Sequence, residues 1–218
     1  MVHAGDEQPR RRRGPGSRAG LTRDDVLRVA RTRLAREGLA GLTMRGLAAD
    51  LGVAPNALYS HVADKTELVD LVLDETLGQV ALPGTKADTA PVVDPEHGLT
   101  ALLVSTYEVL IAAPDLVPLY LARQGSRGPN AQQLGAVMRG FLSRLDVTGP
   151  AADEALRVLV IYTIGFAALG RGFPSGAQEP SGPPLGEHEL AANFRRGLGW
   201  LLTGIATSPT PTADARDR

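Results

Sequence analysis

Few residues in this chain are placed to make or break bonds. Its four histidines, His3, His61, His97 and His188, are scattered, and neither a His-Glu-x-x-His pair nor a phosphate-cradling loop is present. Gly170-Arg171-Gly172 lacks the preceding strand a dinucleotide site needs, and Glu187-His188-Glu189 reads as a solvated helix cap. No enzyme activity, cofactor or metal is expected. One stretch does carry a recognisable chemistry: Met44-Arg45-Gly46-Leu47-Ala48-Ala49-Asp50-Leu51-Gly52-Val53-Ala54-Pro55-Asn56-Ala57-Leu58-Tyr59. Its spacing is that of a helix-turn-helix. Ala48 is small where two helices must cross, and Gly52 can take the left-handed conformation of a tight turn. Leu58 points back into a shared core beside Leu47, Leu51 and Val53. Pro55 suits the first turn of a helix, where its missing N–H is no loss. The face of residues 55 to 61 is then left to solvent, shaped for a DNA major groove. Spacing alone leaves open three short core helices with no DNA role.

The elements that must hold this motif follow from caps and periodicity. Thr22 caps a first helix with Asp24 and Asp25 in its opening turn, and Val26, Val29, Ala30 and Leu34 repeat at helical spacing to a stop at Gly38. Thr43 caps a second helix that Gly52 ends, and a third runs from about Pro55 to His61. Asp64 caps a fourth bearing Leu68, Val69, Leu71, Val72 and Leu77. After a break at Pro83, Gly84, Pro91 and Pro95, helices are expected at roughly 95–112, 114–124, 130–145, 151–173 and 187–205. Pro174 to Gly186 reads as a mobile loop and Thr207 to Arg218 as a frayed tail. With no alternating β segment and no internal repeat, the class is all-α.

Charge separates the two ends. Arg10 to Lys65 holds 12 Lys and Arg against 5 acids, whereas Thr66 onward holds 11 against 17. A basic segment joined to an acidic body suggests one part that faces nucleic acid and another that does something else. This asymmetry argues for the DNA role of the motif. The chain is 43% hydrophobic and 22% charged and has no cysteine, which excludes disulfides and thiolate metal sites and fits a reducing cytosol. The longest apolar run, Val158 to Leu169, is shorter than the roughly 18 to 20 residues a membrane-spanning helix needs. No secretory segment is read at the N-terminus, and a cytoplasmic location is expected.

Within Gly38 to Leu73, the runs Gly41-Leu42-Thr43-Met44-Arg45-Gly46-Leu47-Ala48, Leu51-Gly52-Val53, Leu58-Tyr59-Ser60-His61-Val62 and Lys65-Thr66-Glu67-Leu68 resemble the TetR family. The likeness covers about residues 24 to 80. It is nearer to the tetracycline-repressor branch, with its Leu-Tyr-x-His-Val, than to branches ending in Tyr-His-Phe. The resemblance implies a ligand-responsive transcriptional regulator, mostly a repressor in this family, that binds a palindromic DNA operator as a homodimer. The implied domains are a disordered basic arm at 1–20, a helix-turn-helix domain with its connecting fourth helix at 21–80, and a helical effector-binding and dimerisation domain at 95–206. A module that no longer reads DNA is the alternative, against which Arg45, Tyr59 and Lys65 argue.

The positions matching DNA contacts are Thr43, Arg45, Pro55, Asn56, Tyr59, Ser60, His61 and Lys65. Arg45 can pair bidentately with a guanine edge and Asn56 with adenine, whereas Tyr59, His61 and Lys65 suit phosphate. Thr43 competes for a role as N-cap, and His61 for one in packing. Pro55-Asn56 stands where the tetracycline-repressor pattern has Gln-Pro, and Ser60 where it has Trp, so the operator sequence does not carry over. Arg10 to Arg13 suit either a minor-groove arm or a solvated counter-charge.

The second half matches the family in number and length of helices. The stretch Leu156 to Leu169 is apolar nearly all round and must be buried on every side. In this family that fits an inter-subunit four-helix bundle with the last helix, which bears Phe194, Leu198, Trp200, Leu201 and Leu202; a large monomeric core is the alternative. The family's effector pocket would draw on Tyr107, Tyr120, Arg123, Gln124, Met138, Phe141, Tyr162 and Phe166. Ala81 replaces the pocket histidine of tetracycline-binding members, so a magnesium–tetracycline effector is not expected. A ligand wedged against Leu73 or Leu77 would tilt the stiff fourth helix and change the spacing of the two reading helices, which must be near one DNA turn, about 34 Å.

Overall fold

The computed structural model describes residues 20–84, 94–123, 128–170 and 186–207. The arm at 1–20 apart from Gly20, most of the 174–186 loop, the tail beyond Thr207, Arg171 and Gln124 lie outside the described residues. Among those described, every regular element is helical.

Local signals set the first half. Thr22 Oγ1 accepts from the Asp25 N–H at 3.1 Å while the Asp25 carboxylate accepts from the Thr22 N–H at 3.3 Å, closing a capping box on α1 (Arg23–Gly41). The Thr22 hydroxyl donates to the same carboxylate at 2.6 Å and, ahead of Arg28, holds the Asp25 carboxyl below its ordinary pKa. Gly38 interrupts α1 with φ +66°, where a side chain would be strained. Thr43 caps α2 (Met44–Leu51), and Gly52 ends it in the left-handed region, at φ 66° and ψ 32°. The next segment, Pro55–Ser60, is a 3-10 helix, tighter and one residue shorter than the expected helix to His61. It is too short for α-helical cooperativity, and Ala54 offers its amides no side-chain cap. Asp64 then caps α3 (Lys65–Leu77) by accepting from the Glu67 N–H at 2.8 Å.

In the second half, α4 spans Pro95–Ala112 as expected. The single helix expected over 114–124 is instead a 3-10 turn, Pro114–Leu116, leading into a short α5 (Val117–Ala122). Pro118 has no N–H to reach back to Pro114, so the chain tightens before it can continue. The remaining helices are α6 (Pro129–Ser143), α7 (Gly149–Leu169) and α8 (Glu187–Thr207).

Helix α1 packs across α2 and α3, and α2 packs against the 3-10 segment. Helices α4, α6 and α7 pack on one another, with α5 and α8 against α7. The halves meet where α3 lies against α6 and α4, and where α1 touches the Pro114–Leu116 turn. Their buried side chains form one continuous apolar cluster, from Val26 and Leu34 through Leu73 and Leu103 to Phe194 and Leu202. Among the described residues no single helix is long and apolar enough to cross a membrane.

Candidate functional site

The helix-turn-helix is locked from beneath. Leu47, Ala48 and Leu58 are buried where α2 packs on α1 and the 3-10 segment packs on α2. Arg33 of α1, only 16% exposed, donates from Nε to the Gly41 carbonyl at 2.8 Å and forms ion pairs with Asp50 at 2.6 Å and Glu37 at 2.9 Å. One guanidinium thus fixes the angle between α1 and α2. Sequence reading passed over Arg33; Glu37 four residues on was its local signal, whereas Asp50 comes near only in the fold.

On this base stands an exposed polar face. Arg45, Pro55, Asn56, Tyr59 and Ser60 are all exposed, with Tyr59 at 53%. Among the described residues, Arg45, Asn56 and Tyr59 have no side-chain hydrogen bond or ion pair, so their polar groups point into open solvent. Ser60 donates to the Ala57 carbonyl at 2.8 Å, and His61 is half-buried at the end of the 3-10 segment. Thr43 acts as an N-cap, accepting from the Gly46 N–H at 3.0 Å. Lys65 is half-buried and donates from Nζ to the Leu39 carbonyl at 2.7 Å. Two of its N–H groups remain after that bond.

A second feature lies in the other half: a cavity of about 450 Å³ among α3, α4, α5, α6 and α7. Leu77, Leu102, Leu103, Leu110, Leu134, Met138, Leu156, Val160 and Ile164 make most of its wall. Its hydroxyl protons are committed to backbone carbonyls. Thr106 donates to Leu102 and Thr163 to Leu159, each at 2.8 Å, and Tyr120 donates to Leu73 at 2.6 Å. Burial pushes the Tyr120 hydroxyl well above its ordinary pKa, so it stays protonated. Arg157 is the one charged side chain lining the cavity among the described residues.

Of the eight effector candidates, Tyr120 and Met138 line this cavity. Tyr107, Tyr162 and Phe166 gather instead around Phe194, with ring centroids 4.4, 5.4 and 5.7 Å from it, and stitch α8 to α4 and α7. Burial raises the pKa of both tyrosines in this stack. Phe141 fills the space over Gly98, where a Cβ would lie 2.4 Å from its ring. Arg123 forms an ion pair with Asp70, and Gln124 lies outside the described residues. Ala81 sits past the end of α3, its N–H donating to Ser105 Oγ at 2.9 Å. Leu77, but not Leu73, faces the cavity. Leu73 is fully buried and meets the second half through its carbonyl. Sequence reading missed Arg157, whose signal was a lone cation entering the most apolar stretch of the chain. Among the described residues no group of three His, Cys, Asp or Glu could hold a metal ion.

Comparison with known proteins agrees with this geometry. Residues 26–72 match the model for bacterial regulatory proteins of the tetR family. An HTH-type transcriptional regulator of Saccharopolyspora erythraea is 29% identical over 210 residues, covering 86% of each chain. The class E tetracycline repressor protein of Escherichia coli is 30% identical over 152 residues, covering 70% of this chain and 67% of its own. The crystal structure of BioQ with its double-stranded DNA operator superposes with a TM-score of 0.62 at 25% identity, over 86% of this chain and 99% of that one.

Proposed function

This chain belongs to the TetR family of bacterial regulators, and on that premise we propose how its parts divide the work of a ligand-released repressor. It is a DNA-binding transcription regulator whose partners are a palindromic operator, a second copy of itself and a small-molecule effector. Residues 21–80 read the operator and residues 95–206 carry the effector site and the dimer contact. Arg45 and Asn56 read base edges, and Thr43, Pro55, Tyr59, Ser60, His61 and Lys65 seat the segment on the backbone. The free side chains of Arg45, Asn56 and Tyr59 support this division, as does the rigid base beneath them. We assign the chain no catalytic role and place it in the cytoplasm, with its DNA.

The cavity is the effector site, and α3 joins it to the DNA face. The observation that carries this reading is the span of that helix. Lys65 begins it against the end of α1, and Leu77 ends it in the cavity wall. Between them Asp70, Leu73 and Asp74 are held by Arg123, Tyr120 and Asn130, so one face of α3 is gripped by the effector half along its length. A ligand shifts the DNA-binding equilibrium by its differential affinity for two positions of α3. Selection of operators from random DNA tests the reading. A palindrome with half-sites about one turn apart is expected, and failure to enrich any sequence would overturn it.

A further inference from the structure

The cavity's polar groups restrict what it can hold. Its walls are apolar, so a ligand must bring an apolar body, and they carry no carboxylate among the described residues to hold a cation. Thr106, Tyr120 and Thr163 spend their hydroxyl protons on the carbonyls of Leu102, Leu73 and Leu159. They can therefore accept from a ligand without donating to it. Among the described residues that line the cavity, the one side chain with uncommitted donors is Arg157, exposed at the rim. Two carboxylates lie near it on α7, and neither engages it. Asp153 is turned to Arg139 at 3.1 Å, and Glu154 makes no ion pair among the described residues. A guanidinium left unpaired beside an apolar hole is a seat for an anion, and its planar fork suits a carboxylate or sulfonate.

Resting on the reading of this cavity as the effector site, we propose that it takes an amphipathic anion, with its apolar body between α4, α6 and α7 and its charged group on Arg157.

Two fluorescent probes with the same aromatic body test this in the full-length protein: anilinonaphthalene sulfonate and its uncharged parent, N-phenyl-naphthylamine. The sulfonate should bind about fivefold tighter, the scale of one exposed ion pair, and its advantage should shrink as salt is added. Arg157→Gln should abolish the advantage and leave the neutral probe unchanged. Gly135→Phe marks the place of binding. A Cβ there meets nothing nearer than Arg139 at 3.5 Å, so the ring enters the cavity without displacing backbone, and both probes should be lost while the helical circular dichroism stays. Equal affinities, or a preference that survives Arg157→Gln and disappears in Arg196→Gln on α8, would overturn the anion and leave the cavity standing. Undiminished binding of both probes to Gly135→Phe would remove the cavity as the effector site, and the proposal with it.

Discussion

Asp74, in the last turn of α3, caps the first turn of α6 at Asn130. Its carboxylate accepts from the Asn130 backbone N–H at 3.1 Å, the Asn130 Nδ2 at 3.1 Å and the Ala131 N–H at 2.9 Å, while Nδ2 also reaches the Asp74 carbonyl. A buried acid on the connecting helix thus satisfies the free amides of another helix in the effector half, where the helix dipole favours negative charge. Gly128 permits the approach, because a Cβ there would lie 2.2 Å from the Asp74 carboxyl carbon. Asp74→Ala should cost about 1–3 kcal/mol by leaving these donors buried and unpaired. Urea unfolding measures it, and an unchanged midpoint would show the contact to be incidental.

Tyr120 touches the cavity on one side and the Leu73 carbonyl on the other. Tyr120→Phe keeps the ring in the wall and removes the bond to α3. Stability should fall by about 0.5–1.5 kcal/mol, and the factor by which effector and operator weaken each other should shrink in both directions equally. Titration of effector against free and operator-bound protein reads this. A factor identical to that of the unaltered protein would take Tyr120 out of the coupling.

On the DNA face, Arg45→Ala and Asn56→Ala should each cost about 1–3 kcal/mol on the selected operator and little on random DNA. Equal losses on both would move the residue from base to backbone.

Lys65 differs, because it already holds the Leu39 carbonyl. Lys65→Ala should weaken both kinds of DNA alike and reduce the salt dependence of binding by about one phosphate contact. An unchanged salt slope would leave Lys65 as a brace between α1 and α3 alone.

The apolar outer face of α7 and α8 is uncovered in the single chain. Val158 is 42% and Trp200 72% exposed, and Tyr162, Phe166, Arg196 and Leu201 line a shallow groove beside Trp200. Val158→Asp or Trp200→Asp should convert the dimer to monomer and lower operator affinity together. Sedimentation showing an intact dimer in both variants would place the interface elsewhere.

The reading half was legible because its determinants are local. Thr22, Thr43 and Asp64 each cap an amide three residues on, and Gly38 and Gly52 take the positive φ their positions demand. Caps and turns act within one helical turn, so residue order alone displays them. The apolar circumference of α7 called for burial on every side, whereas Val158, Ile161 and Leu169 stand exposed in the single chain.

Which side chains share a space is a different matter, decided only by how the helices cross. Tyr107, Tyr162 and Phe166 have the composition of a ligand pocket, yet they stack on Phe194, away from the cavity that Leu77 and Arg157 line. Leu77, Thr106 and Arg157 drew no notice as a group, yet they bound one cavity. The contacts that join the halves pair residues far apart in the chain: Asp70 with Arg123, Leu73 with Tyr120, and Asp74 with Asn130. No periodicity within either partner's own helix signals such a pair. Residue order therefore determined the all-α class, the helix-turn-helix and the family. Tertiary packing decided where the cavity lies, which charge stands at its rim and how α3 is gripped, because those depend on distances between helices that only the folded core sets.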